Sequence, residues 1–284
     1  MKIKFLLSSL LIVVLASCSH NDTTDNTNAA DAVPTLYMPI KLNNFWRYDV
    51  STTLNGGTPS ASKDSLYVGN DTLVTFKKMK SSAVQPAGTT PSGFYSNVLH
   101  NNALRIDGTR LRLTGTVNLQ IPGLTTTPIT INLSDFIIFK DNATSGTELN
   151  SVSNSFTQNV QISSQTYPLN FNYTFRAVSD DNLNSLTSNG HTYSDIKKTK
   201  LVLNLTVTYP TVISGIATTV TVLPAQDAIV MTESYSKNIG VVYNNTLIHY
   251  ELNPSAVTLL NIPSNVPTSA TINQEEFLNT YHLN

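Results

Sequence analysis

The sequence predicts an all-β domain: a large, twisted antiparallel sheet, folded as a two-layer sandwich or as an open half-barrel. Three observations carry this. Apolar and polar residues alternate with period two through most of the chain, as in strands with one buried and one wet face. Turn-forming groups punctuate those runs: Asn55-Gly56-Gly57, Gly69-Asn70-Asp71, Asn101-Asn102, Asp107-Gly108, Pro122-Gly123, Asn189-Gly190 and Asn244-Asn245. Helical periodicity is nearly absent. The spacing of turns allows roughly a dozen strands, several longer than the usual five or six residues.

In chain order, the first element is a leader. Lys2 and Lys4 make a basic start, residues 5–15 are apolar apart from Ser8 and Ser9, and Ala16-Ser17-Cys18 supplies small residues for cleavage. The apolar run is too short to span a bilayer, which needs about 20 residues. Residues 1–17 therefore read as a removable signal. Cys18 is the only cysteine, so the domain has no disulfide and its core rests on apolar burial. The Leu15-Ala16-Ser17-Cys18 stretch resembles the lipobox of bacterial lipoproteins. That resemblance implies a diacylglycerol and an amide-linked acyl chain on Cys18, the membrane as partner, and, with Ser19 rather than Asp following, the outer membrane. Residues 18–35 are polar and too poor in apolar groups to fold. They form a tether with a root-mean-square reach of about 20–25 Å.

The β domain occupies residues 36–284, with a possible subdivision near 140–154. Its first strand carries Phe45-Trp46-Arg47-Tyr48, whose alternation sends Trp46 and Tyr48 to one face. The same two aromatics are candidate ligand-binding residues, as a platform for a glycan. The run Tyr37-Met38-Pro39-Ile40-Lys41-Leu42-Asn43-Asn44-Phe45-Trp46-Arg47-Tyr48 resembles the opening segment of a group of uncharacterised Gram-negative outer-membrane lipoproteins. Tyr235-Ser236-Lys237-Asn238-Ile239-Gly240-Val241-Val242 resembles a later segment of the same group. Glycine is usual there at the positions of Asn43 and Asn238, so both sites are expected to need positive φ, which asparagine tolerates. The resemblance implies a shared β fold and no activity.

Further along, Thr- and Ser-rich residues 80–92 and residues 140–154 read as surface loops, and Asp180-Asp181 as part of another. Residues 129–133, 171–177 and 201–209 alternate cleanly, and Pro210 is expected to end its strand. Residues 273–282 read as a short C-terminal helix: Asn273 as cap, Glu275 and Glu276 in the first turn, Phe277, Leu278 and Tyr281 on one face.

The chemistry the sequence offers is sparse. Charged residues make up 12% of the chain and its net charge is −1, which excludes a basic surface for nucleic acid. His20, His100, His191, His249 and His282 are scattered, and only His249 and Glu251 share a strand face. No metal or cofactor is expected. Ser60-x-x-Lys63 and Ser194-x-x-Lys197 match a serine-hydrolase pattern that requires a buried helix, and both fall in strand or loop context. Glu148, Glu233 and Glu251 are the carboxylates from which a glycosidase pair could be drawn. No catalytic residue stands out. Thr23, Ser65 and Thr72 follow aspartates in a pattern resembling an O-glycosylation acceptor. The expectation is a membrane-anchored, non-enzymatic binding or scaffolding protein of the envelope. The alternatives are a carrier sheltering a lipid in a concave sheet and a glycan-binding surface protein.

Overall fold

A computed structural model describes residues 37–73, 76–81, 90–119, 127–162, 165–264 and 266–284. The leader, Cys18, Thr23, the tether, the Pro122-Gly123 turn and most of the 80–92 loop lie outside the described residues. Strand accounts for 72% of the described residues. The strands are β1 (Phe45–Leu54), β2 (Ser60–Leu73), β3 (Phe76–Ser81), β4 (Ala103–Asp107), β5 (Arg110–Leu119) and β6 (Ile129–Lys140), then β7 (Glu148–Ile162), β8 (Gln165–Ser188), β9 (His191–Ile213), β10 (Ile216–Ser236), β11 (Gly240–Glu251) and β12 (Ser269–His282). Helix α1 (Phe94–Leu99) lies between β3 and β4, and α2 (Pro254–Leu259) between β11 and β12.

All twelve strands form one antiparallel sheet in the order β6-β5-β4-β3-β2-β1-β12-β11-β10-β9-β8-β7. Neighbours in space are neighbours in sequence, except where β12 returns to pair with β1. The chain therefore meanders outward from that junction in both directions. The edges, β6 and β7, approach each other without pairing among the described residues, so the sheet is nearly closed into a barrel. It is one curved layer, not the two layers of a sandwich. Residues 33–284 form one compact unit, and residues 141–147 are the turn that carries the chain across the seam.

Alternation decides which side chains fill the lumen. Along β8, Tyr167, Leu169, Phe171, Tyr173, Phe175 and Ala177 are buried, and the residues between them face outward. Leu201, Leu203, Leu205 and Val207 do the same on β9. With the inward residues of the other strands they form one continuous core.

Four sequence expectations are overturned. Residues 273–282 belong to strand β12, not to a helix. Their apolar spacing fits both periods, but Ala270, Ile272, Gln274, Glu276 and Leu278 alternate inward, and the strand is needed to join β1 to β11. Gly69-Asn70-Asp71 and Asn244-Asn245 lie inside β2 and β11, not in turns. Pro210 does not end its strand, because β9 continues to Ile213. Pairing with β8 stops at Thr208, so Pro210 has a ladder partner only on the β10 side and interrupts no second ladder. Asp180 and Asp181 likewise sit on β8, at a register shift, and Asp180 binds Lys198 (2.9 Å) and Lys200 (3.0 Å).

Candidate functional site

The two segments singled out in the sequence meet in space. Trp46 Nε1 donates to the Ile239 carbonyl (2.6 Å) and the Tyr48 hydroxyl to the Val241 carbonyl (3.0 Å). Asn43 and Asn238 have φ of 68° and 62°, the left-handed region expected for them. Gly240 has φ 111°, and a Cβ there would stand 3.0 Å from Trp46 Nε1 and 3.2 Å from Met38 Sδ. Trp46 is 0% exposed and Tyr48 1%. The expectation that they form a glycan platform is therefore corrected: both are core residues, and neither face is open to a ligand. Ser65 is also buried, so its hydroxyl is closed to a modifying enzyme in the folded domain. Thr72 lies within β2.

Inside the sheet, polar side chains hold α1. Five consecutive backbone N–H groups, Ser92 to Ser96, are received by three side chains from two distant strands. Asp64 on β2 accepts from Ser92 N (3.0 Å) and Gly93 N (2.5 Å). Gln274 on β12 accepts from Phe94 N (2.6 Å). Glu276, also on β12, accepts from Tyr95 N (2.7 Å), Ser96 N (3.2 Å) and Ser96 Oγ (2.6 Å). A short helix cannot satisfy its own first N–H groups, and these oxygens do so. Tyr95, Val98 and Leu99 then pack into the core, with the Tyr95 ring edge-on to Tyr48 at 5.6 Å.

Glu233 on β10 is buried with them, and Tyr235 donates to its Oε2 (2.5 Å). Burial pushes the Glu233 carboxyl up to about 8; the Tyr235 hydrogen bond opposes this and Glu276 adds to it. Burial pushes Glu276 up to about 7, against the hydrogen bonds it receives from Ser96 and Tyr95. Burial also raises the Tyr48, Tyr95 and Tyr235 hydroxyls far above their usual range. Glu148 and Glu251 are exposed and share no site with the buried Glu233. His249 and Glu251 lie on the outer face, where His249 Nδ1 bonds Thr271 Oγ1 (2.9 Å).

An open cleft lies beside α1. β4 has five residues and stops short between β3 and β5. Beyond its end Asn102 stands in for a strand: its Oδ1 accepts from Thr116 N (2.9 Å), and its Nδ2 donates to Thr116 O (3.0 Å) and Val98 O (2.6 Å). Gly115 permits this approach, since a Cβ there would stand 2.0 Å from Asn102 Oδ1. The cleft that results has a volume of about 760 Å3. Asn97, Asn101, Thr116 and Asn118 line it around Phe94 and His100. Among the described residues Lys78 is the one charged lining residue, and no Asp or Glu lines it. Burial, with Lys78 nearby, lowers the His100 pKa, which favours the neutral ring. Such a surface offers paired amide donors and acceptors and a half-buried aromatic ring. Sequence reasoning missed it because its residues come from β3, α1 and β5 and share no motif.

Fold and cleft together define a meandering β sheet with a plugged lumen and a polar side cleft. Comparison with known protein families, characterised proteins and solved structures finds no match to this chain.

Proposed function

We propose that this chain is a lipid-anchored lipoprotein of the Gram-negative envelope, held on the outer membrane through Cys18, and that it acts by binding. Its ligand lies in the cleft between α1, β3 and β5. The observation that carries this reading is the lining of that cleft: neutral amides and hydroxyls around Phe94 and His100, with no carboxylate to serve as acid or base among the described residues. A neutral, hydroxyl-rich partner such as a glycan suits these groups. An apolar lipid does not, and the concave side of the sheet, where a lipid carrier would hold its cargo, is filled by core side chains and α1.

Titration calorimetry with a panel of soluble peptidoglycan fragments and neutral oligosaccharides tests the cleft. Binding that weakens at least tenfold in Asn97→Ala and Asn118→Ala supports the reading. Absence of binding, or binding indifferent to both variants, refutes it. For the anchor, Cys18→Ser is expected to move the protein from the membrane fraction to the soluble envelope fraction; unchanged membrane association would refute it.

A further inference from the structure

β10, β11 and β12 set three polar residues side by side on the inner face of the sheet. Glu233 is the register partner of Asn244, and Asn244 of Glu276. All three are 0% exposed. Opposed residues of an antiparallel pair hold their Cβ atoms about 5 Å apart, so these side chains are immediate neighbours. Their oxygens are unequally served. Both oxygens of Glu276 receive donors from α1. Glu233 Oε2 receives the Tyr235 hydroxyl, whereas Oε1 has no donor. Asn244 gives its Nδ2 to Thr246 Oγ1 (3.0 Å), and its Oδ1 has no donor either. Two acceptors on neighbouring residues are thus buried without a donor, an arrangement native interiors rarely leave unresolved.

We propose that Glu233 is a buried proton-binding site, which carries a carboxylic proton on Oε1 and donates it to Asn244 Oδ1 while Glu276 keeps the negative charge that holds α1. The groups facing Glu233 agree with this. They are Tyr235 on its own strand, Tyr48 from β1, Tyr95 from α1 and Glu276 from β12, with Asp64 of β2 beyond Glu276. β9 contributes the neutral Thr199 and β11 the neutral Asn244. None of these is a cation, and two adjacent carboxylates in a dry interior do not both ionise readily. The Tyr95 hydroxyl, set against Tyr48, borders the same cluster. Loss of the proton in base places a second negative charge beside Glu276 and two bare acceptors face to face. The grip on Ser92–Ser96 then loosens.

Infrared spectroscopy of the full chain, with its five glutamates labelled at the side-chain carboxyl with carbon-13, reads this directly. The expected spectrum has a protonated glutamic acid band at about pH 8, above the range in which Glu276 loses its own proton, that disappears as the pH is raised further and is missing in Glu233→Gln. That variant supplies an N–H donor in place of the O–H and is expected to keep the wild-type melting temperature at neutral pH. No such band in the wild type would overturn the proposal: the Asn244 amide then points its Nδ2 at an ionised Glu233. A band that survives Glu233→Gln would also overturn it. Should that variant fail to fold, Asn244→Leu decides, since removing the acceptor must shift the band to higher frequency, and a band left in place refutes the assignment.

Discussion

At the scale of single residues, backbone conformation ties the two ends of the domain together. Gly240 sits at φ 111° under Trp46, where a side chain has neither an easy backbone nor space. Gly240→Ala is expected to cost about 1–3 kcal/mol, measured by denaturant unfolding. Asn238→Gly at φ 62° is expected to change stability by less than about 1 kcal/mol, because both residues tolerate that region. These positions were legible in the sequence: Trp46, Asn43, Asn238 and Gly240 stand in recognisable local runs. Glu276 was not. Its partners Tyr95 and Ser96 lie about 180 positions away, and no local pattern announces a contact of that range. The same distance hides Gln274, and Asp64 stands 28 and 29 positions from Ser92 and Gly93. Ser65 and Trp46 show the converse error, in which a residue type suited to binding or modification is used by the core.

At the scale of elements, α1 is the piece whose stability is borrowed. Six residues do not form a helix on their own in water, and this one depends on side chains from β2 and β12. Glu276→Ala is expected to speed amide exchange at Ser92–Ser96 at least tenfold, while amides in the β8–β9 ladder stay protected. Equal acceleration in both places would mean that the helix and sheet open together. Titration adds a second expectation. Glu233 and Glu276 bind protons more tightly in the folded domain, at about 8 and about 7, than at their ordinary 4.5. Their stabilising contribution is therefore complete below about pH 4.5 and is lost as the pH rises through 7 and 8. Asp49 and Asp180, held below 3.8 by lysine partners and other hydrogen bonds despite partial burial, act in the opposite sense and only in stronger acid. The melting temperature is thus expected to be several degrees higher at about pH 5 than at about pH 9. A flat or reversed profile would show that neither carboxyl is perturbed as its burial implies. The elements were only partly legible. Strands with clean alternation, such as β8, were, but β12 was not: Phe277, Leu278 and Tyr281 match a helical face as well as a strand, and the choice is made by the neighbours β1 and β11.

At the scale of the whole molecule, closure of the sheet matters more than any single strand. Joining β12 to β1 leaves only β6 and β7 as edges and turns twelve half-buried strands around one lumen. The class of fold could be read from alternation alone. Near-closure and the plug could not, because they depend on which strands pair and on where the β3–β4 connection goes. Filling the lumen with α1 leaves no room for an acyl chain there, and the proposed ligand is accordingly assigned to the side cleft; that is the central claim. Native mass spectrometry of residues 33–284 made in a Gram-negative periplasm tests it most directly. The account predicts the bare protein mass, with no lipid released on extraction. A stoichiometric phospholipid or other acyl-chain adduct would contradict it, because such a chain could be housed only by displacing α1 from the lumen.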